Sequence, residues 1–286
     1  MRSTYLTNLL LLVVAILLIW LMTESRLDSP VSVITNKLVA DNVTDIRIER
    51  QGQTTIHLQK NTLWQLTSPA LARASQTRIN LLLSLLDQPV SQHIALTDKT
   101  QLAEFGLQEG EHTLILNESR FAFGNTEPLS GYRYILHDGQ IYLLQDDISP
   151  LLGASASSFV DNRLLDPASH IQKLSLPALA DGTGELTIYQ QNNRWHSAPE
   201  NHAQDKLLTL LQNWQQAYAM QVLILPEAIE DKQPNLPQVV IQLSDGSSRH
   251  FMVDYDETGL TLTDPVARLT YQFPAAMQQP LFSVNP

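Results

Sequence analysis

Cysteine is absent from the 286 residues, which excludes disulfides, thiolate metal sites, a cysteine nucleophile and lipid attachment at a cysteine. Cations are scarce. Lys and Arg number 18 against 29 Asp and Glu, the formal net charge is −11, and no Lys/Arg run exceeds a pair. Nucleic acid is thereby excluded as an expected partner, because phosphate binding draws its affinity from clustered cations that release counterions. Charged residues make up only 16% of the chain, but 43% of it is apolar, so a packed core is expected rather than disorder. Phosphate-loop and dinucleotide fingerprints are missing too, so no nucleotide site and no cofactor is expected.

One long apolar run is present. Leu9 to Met22 is unbroken and reaches back to Leu6 across Thr7 and Asn8, about 17 residues, the short end of a membrane-spanning helix. Tyr5 and Trp20 bracket it as interfacial aromatics do. A cleaved signal peptide competes with this reading, but only Thr23 and Ser25 offer small residues for cleavage, which favours a retained anchor over residues 1–25. Arg2 and the amino terminus precede the run, while Glu24, Arg26 and Asp28 follow it. That bias puts the N-terminus in the cytoplasm and predicts a single-pass protein of the bacterial inner membrane with its C-terminal bulk in the periplasm.

Beyond a linker containing Pro30, the sequence repeats. Leu63-Trp64-Gln65-Leu66-Thr67-Ser68-Pro69 is answered by Arg194-Trp195-His196-Ser197-Ala198-Pro199, at an offset of 131 from Trp64 to Trp195. Asn36-Lys37-Leu38 is answered by Asn162-Arg163-Leu164, and Val43 to Ile48 by Ile171 to Leu176, both alternating with the period of a half-buried strand. Thr55 to Gln59 and Glu185 to Gln190 supply the next strands, so each copy opens as an antiparallel meander closed by its Trp strand. A helix follows. Ser75 stands at an N-cap position before Ile79, Leu82, Leu83 and Leu86, and the second copy carries Leu207, Leu211, Trp214 and Tyr218 at comparable spacing. Such stripes are core faces, not ligand boxes. Asn117-Glu118 and Asp245-Gly246 mark later hairpins, Phe121 answers Phe251, Tyr142 answers Tyr271, and each copy ends in a short helical turn, Ile148 to Leu152 and Ala275 to Leu281. Offsets stay between 126 and 131 throughout. The expectation is an α+β protein: an N-terminal transmembrane helix, then tandem repeats over 31–160 and 161–286, each a meander with a packed helix and further strands.

The first copy also holds Leu102-Ala103-Glu104-Phe105-Gly106-Leu107, a short helix ended by Gly106 in a position that tolerates left-handed backbone. With the Trp strand, the Leu-rich helix, Tyr132-Arg133-Tyr134, Ile141 to Leu144 and Asn162-Arg163-Leu164-Leu165, this segment resembles the family known only as domain of unknown function 4340, over roughly residues 31 to 286. The motifs that carry the likeness, Trp64, Pro69, Trp195, Pro199 and Gly106 among them, are structural. One departure is Gln108-Glu109-Gly110, where the family runs into prolines. Members are often membrane-anchored and found beside ABC-2-type transport systems of the gliding-motility type. The resemblance therefore implies an ABC-type ATPase or permease as partner.

No catalytic, cofactor-binding or metal-ligating set stands out. The histidines, at 57, 93, 112, 137, 170, 196, 202 and 250, never share a spacing that presents two ligands from one element, and most of them read as surface or strand-edge residues. Gly153-Ala154-Ser155-Ala156-Ser157 lacks the second glycine of a nucleophile elbow and reads as a linker between copies. Asp146-Asp147 precedes a helical turn, and Asp254 to Gly259 fails the calcium-loop pattern. Tyr132, Tyr134, Tyr142, Tyr255 and Tyr271 suit half-buried strands. The expected role is a non-catalytic auxiliary or scaffold subunit of a membrane transport or envelope complex. The alternative is a periplasmic module that binds polysaccharide or peptidoglycan, for which an aromatic and carboxylate-lined groove should lie between the copies.

Overall fold

The computed structural model describes residues 12–16, 33–96, 98–108, 110–179, 184–226 and 236–284. Within them lie two large antiparallel sheets. The first contains β1 (Asp45–Arg50), β2 (Ile56–Lys60), β3 (Trp64–Ser68), β4 (Ala72–Arg73), β5 (Val90–Ala95), β6 (His112–Leu116), β7 (Ser119–Thr126), β8 (Arg133–His137) and β9 (Gln140–Leu144). Their order is β4-β3-β2-β1-β6-β7-β8-β9-β5. The second contains β10 (Ile171–Leu176), β11 (Leu186–Gln191), β12 (Arg194–Ala198), β13 (Gln221–Ile224), β14 (Gln238–Leu243), β15 (Ser248–Tyr255), β16 (Gly259–Asp264) and β17 (Leu269–Pro274). Their order is β12-β11-β10-β14-β15-β16-β17-β13. Apart from β4, the two topologies coincide strand for strand.

Strand formation follows the two-residue alternation. In β1, Ile46 and Ile48 are fully buried while Asp45 and Arg47 turn outward, and Leu174 and Leu176 do the same in β10. Asn117 takes a positive φ of 54° between β6 and β7, and Gly246 one of 86° between β14 and β15, so both tight turns fall where the sequence puts them. Gly124 in β7 has a different reason to lack a side chain. A Cβ there would come within 2.3 Å of the Phe105 carbonyl, which accepts from the Asn125 N–H at 2.8 Å.

Each sheet carries one helix of two or three turns, α1 (Gln76–Leu83) and α3 (Gln204–Gln215), and ends in a short one, α2 (Ser149–Leu152) and α4 (Gln278–Phe282). Ile79, Leu82 and Leu83 of α1, with Leu85 and Leu86 of the 3-10 turn after it, face the first sheet. Leu207, Leu210, Leu211 and Trp214 of α3 are buried on the second sheet. Tyr218 is a correction to the expected stripe: α3 stops at Gln215, and the tyrosine is 60% exposed. Ser75 precedes α1, but its side chain makes no capping bond.

The expected α+β class is also corrected. Strand occupies 41% of the described residues and helix 22%, so they are mostly β, and the helices are single small elements against eight- and nine-stranded sheets. Among the described residues no helix is long and apolar enough to cross a membrane. The anchor expected over residues 1–25 lies outside the described residues except for 12–16, which are helical and exposed. Buried side chains from both sheets belong to one hydrophobic cluster running from Ile34 to Phe282.

Candidate functional site

Where the two sheets meet, the chain opens a cleft of about 550 Å³. One wall is the Trp-strand edge of the first sheet and the linker after it, residues 63 to 73; the other is built from residues 160 to 169 and the hairpin between β16 and β17. Arg73 organises the join. Its Nε donates to Asp161 Oδ2 at 2.8 Å, its Nη1 lies 3.4 Å from Asp166 Oδ2, and its Nη2 donates to the carbonyls of Arg163 and Leu165 at 3.0 and 3.1 Å. Backbone bonds reinforce the contact, with Asp161 N–H donating to the Arg73 carbonyl at 2.8 Å and Ser75 N–H to that of Phe159 at 2.7 Å. The Arg73 and Asp161 side chains are only 21% and 14% exposed. Such a pair is strongly coupled, because removing either partner leaves the other charge poorly hydrated.

The opposite floor holds a second ion pair, Arg249 Nη1 to Asp264 Oδ2 at 3.8 Å. Asp264 also accepts the backbone N–H groups of Val266 and Ala267, which shapes the turn. Beside it, burial pushes the Tyr271 phenol up to about 12, and the nearby Asp264 carboxylate adds to the shift. At neutral pH this phenol is a hydrogen-bond donor, not a base. Above the charged floor stand aliphatic lips: Leu63, Leu71 and Val266 are 53%, 67% and 89% exposed. The cleft's aromatic rings, Phe251 and Tyr271, are packed edge to face and are 1% and 8% exposed.

The sequence motifs fall around this cleft but not in one site. Trp64 is buried in β3, whereas Trp195 is only partly buried in β12. Pro69 and Pro199 both follow cis peptide bonds; Pro69 lines the cleft and Pro199 lines a separate groove between the start of β11, the end of β12 and residues 282–284. Gly106 takes a positive φ of 68°, with the Asn125 side chain where a Cβ would go. Arg133, the centre of the Tyr-Arg-Tyr motif, pairs with Asp146 and donates to the Gly124 carbonyl at 2.6 Å. Asp146 in turn accepts the N–H groups of Ile148 and Ser149 at the start of α2. Burial opposes its charge, yet the Ser149 N–H and the Arg133 guanidinium hold its carboxyl below the usual carboxylate range.

Histidines do not gather. His57 bonds Asp45 at 2.6 Å, and His202 sits against Ser197. His137, at the end of β8, is 3% exposed and stacks on Phe121 with ring centres 4.3 Å apart. Among the described residues no three His, Asp or Glu side chains gather as a metal site would. Asp256 folds its own turn by accepting from the N–H groups of Thr258 and Gly259. Arg73, Asp161, Arg249 and Asp264 had no local signature. The one available signal was the Asn162-Arg163-Leu164-Leu165 motif next to Asp161.

A family model described as "Domain of unknown function (DUF4340)" matches residues 64–236, from the Trp strand of the first sheet across the cleft and into the second. No curated protein and no solved structure matches the chain.

Proposed function

This chain belongs to that DUF4340 family, and from that premise we propose that it is a non-catalytic auxiliary or scaffold subunit of an envelope or ABC-type membrane transport complex. It works on the periplasmic side and docks a polypeptide of that complex in the cleft between the sheets. One observation carries the reading: the cleft has exposed aliphatic lips, Leu63, Leu71 and Val266, over a floor whose charges already pair with each other. Exposed apolar side chains around a polar, rigid base are the makings of a protein contact. A glycan would instead stack on open rings, and the cleft's rings are buried. That weighs against the polysaccharide alternative, for which the carboxylates of Asp161 and Asp166 are the remaining support.

The test is co-purification in mild detergent with tagged wild type and the double variant Leu71→Ser, Val266→Ser. The expected result is an ABC-type permease or ATPase subunit held by the wild type and lost with the variant, while the fold is unchanged, since exposed substitutions of this kind shift stability by about 0.5 kcal/mol or less. Equal recovery of that subunit with both proteins removes the cleft from the proposal, and its absence from both removes the complex. Protease treatment of spheroplasts checks the location: digestion only after lysis overturns the periplasmic assignment.

A further inference from the structure

The two Trp strands lie at equivalent sheet edges, yet among the described residues only one edge is covered. In the first sheet, β4 pairs with the outer side of β3, with Gln65 opposite Arg73 and Leu66 opposite Ala72, and the Trp64 carbonyl accepts the Ala74 N–H at 2.9 Å. In the second sheet β12 is terminal, and among the described residues no strand pairs with its outer side. The cause is local. Residues 70–75 connect Pro69 to α1, but only residues 200–203 connect Pro199 to α3, two residues too few to double back as a strand. The shorter linker is held by a side chain instead: Ser197 Oγ donates to the Glu200 carbonyl at 2.7 Å and accepts the His202 N–H at 3.0 Å. At the Ala198 end of this edge lies a groove of about 800 Å³, lined by Leu186, Thr187, Ala198, Pro199 and the Phe282–Val284 segment, with Glu185 and Glu200 exposed at its margin.

We propose that the outer edge of β12 is a docking site for an extended, basic segment of a partner protein, which adds to the second sheet the strand that β4 supplies to the first. Exposed strand edges pair readily with added strands, through main-chain hydrogen bonds that are indifferent to sequence and side-chain contacts that are not. The first repeat shows what fits: a small residue opposite Leu66, whose counterpart is Ser197, and a cation opposite Gln65, whose counterpart is His196. In the first repeat that cation, Arg73, is met by Asp161 and Asp166. Around the open edge the carboxylates are Glu185 and Glu200, the latter with an 83% exposed side chain 3.8 Å from His202 Nε2. Charge complementarity therefore selects a basic occupant, and the chain's own net charge of −11 works against a second copy taking the place.

The probe is a synthetic peptide copying residues 69–75, Pro-Ala-Leu-Ala-Arg-Ala-Ser, added to the full-length chain while backbone hydrogen exchange is followed. Exchange in residues 194–198 should slow by about fivefold at a peptide concentration roughly four times its Kd. A peptide carrying Glu in place of Arg should give no slowing, and the surface variant Glu185→Lys, Glu200→Lys should reverse that preference. A chain whose residues 200–203 are replaced by the sequence of residues 70–75 should cover its own edge, keep its circular dichroism and no longer respond. Unslowed exchange at 194–198, equal effects of the Arg and Glu peptides, an undiminished response in a folded self-covered chain, or protection that rises with protein concentration and needs no peptide would each overturn the proposal. The last would mark a second copy as the occupant.

Discussion

The nine-stranded and eight-stranded sheets share an order from β3 to β5 and from β12 to β13, but they distribute bulk differently around the same frame. In the first, the large buried indole is Trp64, at the head of the Trp strand, and the helix side contributes Leu86. In the second, Trp195 is only partly buried, and the indole that fills the core is Trp214, at the position answering Leu86. Its Nε1 donates to the Leu281 carbonyl at 2.6 Å, and its ring meets Phe282 edge to face at 5.7 Å, so α3 and the closing helix α4 are locked together. Leu66, wholly buried, is answered by Ser197, which holds a linker. Equivalent backbones thus tolerate exchange between core volume and hydrogen bonding, provided each buried polar atom finds a partner.

Trp214→Ala should break the second half hardest, at about 4 kcal/mol, because it opens a cavity and strands the Leu281 carbonyl at once. Leu86→Ala should cost the first half about 3 kcal/mol, a cavity alone. Urea titrations of both variants decide the ranking, and equal midpoints would mean that the indole N–H contributes little. Arg73→Ala sharpens the comparison at its seam. Asp161, 14% exposed, would keep only the Arg163 N–H at 3.0 Å and the longer Arg163 guanidinium contact at 3.7 Å, and the loss should cost about 2 kcal/mol and separate one unfolding transition into two, seen by calorimetry as a split peak. A single shifted peak would show that the shared hydrophobic cluster alone couples the halves.

A smaller effect distinguishes the halves in acid. In the first, burial opposes the charges of Asp45 and Asp146, but hydrogen bonds from His57 and Gln59 to one, and the Ser149 N–H and Arg133 to the other, hold both carboxyls below their ordinary 3.8. Their stabilisation is complete above 3.8, where the unfolded chain is already ionised, and drains away as pH falls through the lower folded values. In the second half the lowered carboxyls, Asp245 and Asp256, are fully exposed and held by their own turns through Ser247 and Thr258. Acidification from about pH 5 to pH 3 should therefore loosen the first sheet before the second, and Asp146→Asn should flatten that dependence. Hydrogen exchange resolved by sheet measures it; simultaneous loosening would contradict the assignment.

Local pattern made much of this legible in advance. The alternation at Ile46 and Ile48, the hairpins at Asn117 and Gly246, and the stripe from Ile79 to Leu86 each concern residues within a few positions of one another. Membership of the family was legible as well, carried by motifs such as Tyr132-Arg133-Tyr134, whose arginine proves to brace Asp146 and α2. Class was misjudged because Leu-rich stripes stand out in a sequence more than short strands do. Neither β5 nor β13 announces that it will cross to the far edge and pair with β9 or β17, since that depends on partners about fifty residues away. The cleft was invisible for the same reason: Arg73 and Asp161 are 88 residues apart, and only the folded sheets bring them together.

The seam at Arg73 joins unlike surfaces, the Trp-strand side of the first sheet and the β16–β17 side of the second. Such a joint is heterologous, and a heterologous joint has no two-fold axis to close it. Copied again with the same rotation and translation, it would end either in a ring, with every Trp-strand edge used, or in an open array that presents one such edge at its end at every length.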